Sequence, residues 1–246
     1  MPQNASGPLR WLLSLIFITQ MYLAMTLIAL AFAIPSILSR NMAFAAVHVF
    51  CRWVRWTAAV LVGLRSEIRG PVPQTEVIIA AKHQSFFDII LLCSVLPRPK
   101  FIMKRELIWA PFLGQYALRI GCIPVDRGKR GAAIARMKAD VARGAALPGQ
   151  LVIYPQGTRV APGETRSYKL GTGLLYDQLG QTCVPAATNV GLFWPKRGIL
   201  RHPGLAVLAF LPAIAPGLPV PEFMARIETE VEAASRALLH EAGWTG

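Results

Sequence analysis

The stretch VIIAAKHQSFFDIILL, residues 77–92, decides how the chain folds. Its first five residues are apolar without a break, as in a strand buried on both faces, and they predict a strand over 76–81. From Phe86 onward, Phe87, Ile89, Ile90, Leu91 and Leu92 predict a helix over 86–96 facing a core. Ser85 followed three residues later by Asp88 is a capping-box-like signal. His83 then lies two residues before the cap and Asp88 in the first turn. In a continuous helix, residues five apart point about 140° away from each other. A turn at Ser85 removes that obstacle and lets the imidazole fold back toward Asp88. A histidine that gives one ring nitrogen to a carboxylate keeps the other basic, as a general base requires. On these residues alone, a helix cap and a surface turn histidine account for the pair at least as well.

Working outward, short apolar runs alternate with amphipathic ones. Strands are expected at 100–103, 121–125, 150–154, 183–190 and 205–211, and helices at 106–119, 129–145, 170–179 and 221–241. This alternation predicts an α/β sheet with helices on its faces. Glu228, Glu230, Glu232 and Glu241 predict a solvated face on the last helix. Gly70-Pro71-Val72-Pro73 marks a boundary between an N-terminal segment, 1–69, and a larger α/β domain, 70–246.

The N-terminal segment reads as membrane-associating. Trp11 to Ile34 contains no charged residue, and a membrane span needs about 20 such residues. Ala31-Phe32-Ala33 resembles a leader cleavage site, but the apolar stretch exceeds the usual core of about 7–15 residues. Ala43 to Leu64 carries Arg52 and Arg55 among Trp53 and Trp56, a mixture suited to a helix at the membrane interface. The two segments also fit one hairpin dipping into a single leaflet. Arg40, Arg52, Arg55, Arg65 and Arg69 lie on the C-terminal side, which predicts that the rest of the chain faces the cytoplasm.

Composition agrees. Of 246 residues, 54% are hydrophobic and 16% charged, and 26 Lys and Arg against 13 Asp and Glu give a net charge of +13. A basic, greasy chain suits an anionic membrane surface or a phosphorylated ligand. No nucleic-acid-binding motif is present, so no nucleic acid is expected as a partner. Cys51, Cys93, Cys122 and Cys183 form no C-x-x-C and have no histidine at ligand spacing. They are expected to be buried free thiols in a reducing compartment, with no metal site.

Two further blocks bear on His83 and Asp88. LVIYPQGTR, 151–159, is an apolar strand ending in a glycine turn beside Arg159, a side chain able to grip phosphate at two points. FIMKRELIWAPFLGQYALRIGCIPVDR, 101–127, follows another strand with Lys104 and Arg105. In order and spacing these blocks resemble the glycerophospholipid acyltransferase family, particularly its bacterial 1-acylglycerol-3-phosphate branch. The first motif of that family, His-x4-Asp, matches His83 and Asp88. The second resembles Lys104-Arg105-Glu106-Leu107, Pro111-Phe112-Leu113-Gly114 and Gly121-Cys122-Ile123-Pro124-Val125-Asp126-Arg127. The third, usually Phe-Pro-Glu-Gly-Thr-Arg, is Tyr154-Pro155-Gln156-Gly157-Thr158-Arg159 here. The fourth, a Val-Pro strand, resembles Val184-Pro185-Ala186-Ala187.

The resemblance, from about residue 76 to about 215, implies a mixed sheet flanked by helices, with an N-terminal membrane helix or helical hairpin. It implies acyl transfer from acyl-CoA or acyl-carrier protein to the free hydroxyl of 1-acylglycerol-3-phosphate, forming phosphatidic acid at the bacterial inner membrane. In that chemistry His83 is the general base and Asp88 its orienting carboxylate. Lys104, Arg105, Gln156, Gly157, Thr158 and Arg159 meet the acceptor, backbone donors near Gly157 meet the oxyanion, and neither metal nor cofactor takes part. Another lyso-lipid acceptor, such as lyso-ornithine lipid, and a non-catalytic membrane lipid-binding protein are the competing readings. Gln156 stands where the family usually has Glu. If it is a neutral stand-in for an orienting carboxylate, Gln156→Glu is expected to preserve or raise activity.

Overall fold

The computed structural model describes residues 7–125, 139 and 148–246. The expected helix at 129–145, apart from Ala139, and Asp126 and Arg127 of the second block lie outside the described residues.

The described elements are α1 (Pro8–Ala31), α2 (Ala33–Leu38), α3 (Arg40–Val62), β1 (Leu64–Arg69), β2 (Ile78–Ala81), α4 (Phe87–Val95), β3 (Pro99–Lys104), α5 (Leu113–Arg119), β4 (Ile123–Val125), β5 (Gln150–Ile153), α6 (Gly171–Leu179), β6 (Cys183–Thr188), β7 (Gly204–Phe210) and α7 (Val220–Glu241). The strands form one sheet in the order β1-β7-β6-β2-β5-β3-β4. All neighbours are parallel except β6 and β7, so the sheet is mixed.

The central strand β2 explains the layering. Its four residues are all buried, as the continuous apolar run requires of a parallel strand covered on both sides. Side chains alternate between faces. Ile79 and Ala81 join the core under α3 and α4, whereas Ile78 and Ala80 join the core under α6 and α7. In β5, Val152 faces the first core and Leu151 and Ile153 the second. Helix α7 reaches the second core with Phe223, Ile227 and Val231, a four-residue repeat that draws one stripe along it.

Two elements depart from the expected pattern. Leu64–Arg69 forms strand β1, ahead of the Gly70–Pro73 boundary, pairing in parallel with β7 from Leu64 opposite Gly204. Arg65, Glu67 and Arg69 give it the polar alternation of an edge strand, which the greasy stretch before it obscured. The expected helix at 106–119 is split into a 3-10 turn, Arg105–Trp109, and α5. Pro111 lies at the break, and a Cβ at Gly114 would overlap the Ile108 carbonyl, so the two pieces pack too closely for any other residue there.

Helices α1 and α3 are each long and apolar enough to cross a membrane. They pair as a hairpin. The Gln20 amide donates to Thr57 Oγ1 at 3.0 Å, and Trp53 Nε1 donates to Gln20 Oε1 at 2.7 Å. The hairpin is also fastened to the sheet domain: Phe17 meets Trp194 edge-on at 5.4 Å, and Arg201 N donates to Ser14 Oγ at 3.0 Å. Outward, Leu9, Leu12, Ile16, Leu23 and Leu27 are exposed along α1, and a contiguous apolar face of this size marks an interaction surface.

Candidate active site

The turn after β2 is built by reciprocal capping. Phe87 N donates to Ser85 Oγ at 3.1 Å, and Ser85 N donates back to Asp88 Oδ2 at 2.8 Å. Gln84 N gives the same oxygen a second bond at 2.9 Å. Asp88, fully buried at the start of α4, is thereby aimed back at the strand end. His83 Nδ1 lies 3.0 Å from its Oδ1 and 3.2 Å from its Oδ2. Because a carboxylate accepts, Nδ1 carries a proton, and in the neutral imidazole that tautomer leaves the lone pair on Nε2. The His83 side chain is 15% exposed, and Nε2 has no partner among the described residues.

The turn after β5 closes over this pair. The Tyr154 ring stacks on the imidazole with centroids 3.9 Å apart, and its hydroxyl donates to Asp88 Oδ1 at 3.0 Å. Burial, together with the Asp88 charge and hydrogen bond, pushes the Tyr154 phenol well above its ordinary value, so it remains a donor. Val160 N donates to His83 O at 2.8 Å, and Gly157 N donates to Tyr154 O at 2.8 Å. Gly157 has φ +69°, a left-handed conformation that favours glycine, and the Lys169 side chain lies over it. Its own N–H is held inside the turn by Tyr154 O.

The alternation of side chains sends the neighbouring residues to the opposite face. Lys82, one residue before His83, points toward α7 and donates to both oxygens of Glu232, at 2.6 and 2.7 Å. Gln156 is buried, and its Nε2 donates to Glu232 Oε1 at 3.1 Å, as does the Tyr168 hydroxyl. Burial first, and then Glu232, raise the Tyr168 phenol. Gln156 is therefore turned away from the face that carries His83. Glu232 also departs from the expected solvated face of α7. It lies beside Val231 at the edge of the buried stripe, where it meets Lys82.

The basic residues stand at one end of the sheet, the carboxyl ends of the parallel strands, where ligands of open α/β sheets bind. Lys104 closes β3 and Arg105 opens the 3-10 turn after it; both are exposed, and Lys104 pairs with Glu106 at 3.2 Å. Strand β3 lies two places from β2, about 10 Å at ordinary strand spacing. Arg159 follows the Gly157-Thr158 turn, and its Nη1 donates to Lys196 O at 3.3 Å. Lys196 Nζ donates in return to Arg159 O at 3.0 Å, adding a cation that the sequence reading passed over.

An apolar cleft opens beside α4. Ile28 of α1, Val47 and Phe50 of α3, Ile89 and Ile90 of α4 and Tyr116 of α5 are among its walls, and it encloses about 580 Å³ of empty space, open solvent included. It lies between the hairpin and the helix that begins at the His83–Asp88 turn.

A family model described as Acyltransferase matches residues 64–189, from β1 through β6. The chain belongs to the acyltransferase family. Over 189 residues it is 28% identical to the 1-acyl-sn-glycerol-3-phosphate acyltransferase of Pseudomonas aeruginosa, a match spanning 76% of this chain and 74% of that protein. Over 129 residues it is 33% identical to 1-acyl-sn-glycerol-3-phosphate acyltransferase alpha of Homo sapiens, covering 51% of this chain and 46% of the human one. The fold is similar to that of the solved 1-acyl-sn-glycerophosphate (LPA) acyltransferase PlsC from Thermotoga maritima, with a TM-score of 0.76 over 93% of this chain and 97% of that one, at 18% identity.

In this acyltransferase the four cysteines are all free and buried. Burial pushes the Cys122 and Cys183 thiols up to about 12, which keeps them protonated and poor nucleophiles. Tyr154 had a sequence signal, since it replaces the phenylalanine usual in the third block. Glu232 had none: it lies 150 residues from Lys82, and only the docking of α7 brings it there.

Proposed function

We propose that this acyltransferase moves an acyl group from the thioester of coenzyme A or acyl-carrier protein to the free hydroxyl of 1-acylglycerol-3-phosphate, working at a membrane surface. The observation that carries the reading is the His83–Asp88 pair, with Nδ1 against the carboxylate and Nε2 open. The acceptor hydroxyl gives its proton to Nε2 as its oxygen attacks the thioester carbonyl. The tetrahedral intermediate collapses, the carbon–sulfur bond breaks, and the leaving thiolate takes the proton back from the imidazolium. No acyl-enzyme forms, because the hydroxyl attacks directly. Asp88 holds the tautomer and balances the imidazolium while it exists. The N–H groups of Thr158 and Arg159, which have no acceptor among the described residues, are donors on the same turn for the developing oxyanion.

Arg159 and Lys196 form the acceptor-phosphate side of the site, with Lys104 and Arg105 at its rim. The apolar cleft along α4 takes an acyl chain, and the exposed face of α1 sits in the lipid. By the positive-inside tendency, the site faces the cytoplasm at a bacterial inner membrane. The relatives' names supply the acceptor: both the Pseudomonas and human proteins are named for 1-acyl-sn-glycerol-3-phosphate.

The test is turnover by purified protein given acyl-CoA and a panel of lyso-lipids, reading free thiol and product lipid together. Phosphatidic acid formed at the rate of thiol release supports the proposal. Acylation of lyso-ornithine lipid with lysophosphatidic acid ignored would overturn the acceptor assignment.

A further inference from the structure

The third block carries an amide at position 156 where the family motif usually has a carboxylate, yet a carboxylate is present 3.1 Å from that amide, on a different element. We propose that Glu232 of α7 is a positioning residue for acyl transfer, supplying from the C-terminal helix the carboxylate that the third block lacks. The proposal rests on the acceptor reading above only for its kinetic readout.

Three segments of the site converge on this one side chain. Lys82 immediately precedes His83 and gives Glu232 two bonds. Gln156 immediately precedes Gly157 and gives it a third. Tyr168 gives the fourth; it precedes Lys169, whose N–H donates to Pro155 O at 2.9 Å and whose side chain covers Gly157. Glu232 thus ties the residue before the base, the residue inside the phosphate turn and the segment lying over that turn. It touches neither His83 nor the open face, so it acts through these neighbours.

The charges account for the amide at 156. Lys82 is buried, with its side chain 3% exposed, and Glu232 balances its single charge. A glutamate at 156 would set a second carboxylate against the first, whose charge Lys82 already balances, and like charges that close disfavour one another's ionised form. The amide is also oriented by Glu232. With Nε2 turned to the carboxylate, Gln156 Oε1 is left buried without a hydrogen-bond partner, whereas the flipped amide would place that oxygen against Glu232 Oε1. Gln156 and Glu232 are one arrangement, an amide on the turn and an acid on the helix. This reverses the expectation that Gln156→Glu preserves or raises activity.

The experiment is a cycle of wild type, Glu232→Gln, Gln156→Glu and the double exchange. Each is measured for lysophosphatidic acid kinetics at a temperature where circular dichroism shows it fully folded, and for hydrogen exchange at residues 157–160. Displacing a positioned group by about 1 Å costs on the order of a hundredfold in rate, so a slackened turn should lower acceptor kcat/KM by at least about tenfold. We expect that loss for Glu232→Gln, with the thioester KM within about twofold of wild type. Gln156→Glu alone should also lose activity, and the double exchange should recover to within about threefold of wild type, a coupling that independent sites do not show. Exchange at 157–160 should quicken in each single variant and slow again in the double. If Glu232→Gln does not fold, adding Lys82→Met removes the stranded charge, and that protein should fold and keep both the kinetic and the exchange defects. Wild-type kinetics and exchange in folded Glu232→Gln would overturn the proposal, as would a double exchange no better than the worse single variant. A wild-type enzyme inert on every lyso-lipid would defeat the acceptor reading instead, and the exchange measurements would still decide the role of Glu232.

Discussion

His83 lies flat on Tyr154, ring centroids 3.9 Å apart and planes 16° from parallel, and both side chains end on Asp88. Asp88 therefore holds its tilt from both sides: two backbone N–H groups fix one oxygen, and the Tyr154 hydroxyl fixes the other. Tyr154→Phe keeps the stacked ring and deletes only the hydroxyl. It should lower stability by about 1 kcal/mol, the net worth of one such hydrogen bond, and lower kcat by about three- to tenfold through a looser carboxylate. Thermal unfolding and steady-state kinetics on the same preparation check both. A variant as stable and active as wild type would remove Tyr154 from the account.

Tyr154 also sets a pH dependence. Its phenol and that of Tyr168 are raised by burial and by the neighbouring carboxylates, whereas an unfolded tyrosine titrates near about 10. The native state thus keeps these protons after the unfolded state has lost them. Their contribution to stability is complete below about pH 10 and is lost as pH rises from there toward the raised native values. Melting temperature should fall steeply above about pH 10 in the wild type, and less steeply in Tyr154→Phe, which has one such group fewer. Equal slopes for the two proteins would contradict this assignment.

The sheet was legible where burial is two-sided. Val77 to Ala81 and Leu151 to Ile153 are apolar runs too short for helices, and both are central strands. Leu64–Arg69 was not legible, because an edge strand with alternating charges looks like a linker beside a membrane segment. In the site, His83 and Asp88 were close in sequence, and the Ser85 cap predicted their approach. Glu232 was invisible because nothing in the sequence sets it apart from its neighbours on the helix, where Glu230 pairs with Arg226 four residues away and Glu241 is exposed and pairs with Arg69. The apolar cleft was hidden because its walls come from four helices, each of which shows only ordinary apolar residues.

Arg159 and Lys196 are held together by side chains that each donate to the other's backbone carbonyl, at 3.3 Å from Arg159 and 3.0 Å from Lys196. Arg159→Ala should raise the acceptor KM at least about tenfold, as expected for a charge-assisted two-point phosphate contact, and leave the thioester KM nearly unchanged. Arg159→Lys should recover only part of this, because an ammonium cannot present the planar fork. A purely thioester-side effect would place the phosphate elsewhere.

The hairpin gives a cleaner membrane test through point changes than through truncation, since removing α1 would also strip Phe17 from Trp194 and Ser14 from Arg201. Leu23 and Leu27 are each 58% exposed on α1. Burying one leucine in lipid contributes about 1.5–3 kcal/mol, so Leu23→Asp with Leu27→Asp should weaken binding to phosphatidylglycerol vesicles by more than about a hundredfold. Thermal unfolding in detergent-free buffer should change little, because neither side chain packs inside the protein. Undiminished vesicle binding would assign attachment to another surface.

The central claim is that His83 Nε2 takes the acceptor proton. It is tested most directly by single-turnover thiol release from acyl-CoA with lysophosphatidic acid, comparing wild type with His83→Ala. His83 stands ahead of α4 and outside its capping bonds, so the variant should fold and bind vesicles as wild type does. Its rate should fall by about 10²–10⁴, the usual worth of a positioned general base. A folded His83→Ala protein releasing thiol and forming phosphatidic acid within about threefold of the wild-type rate would contradict the account.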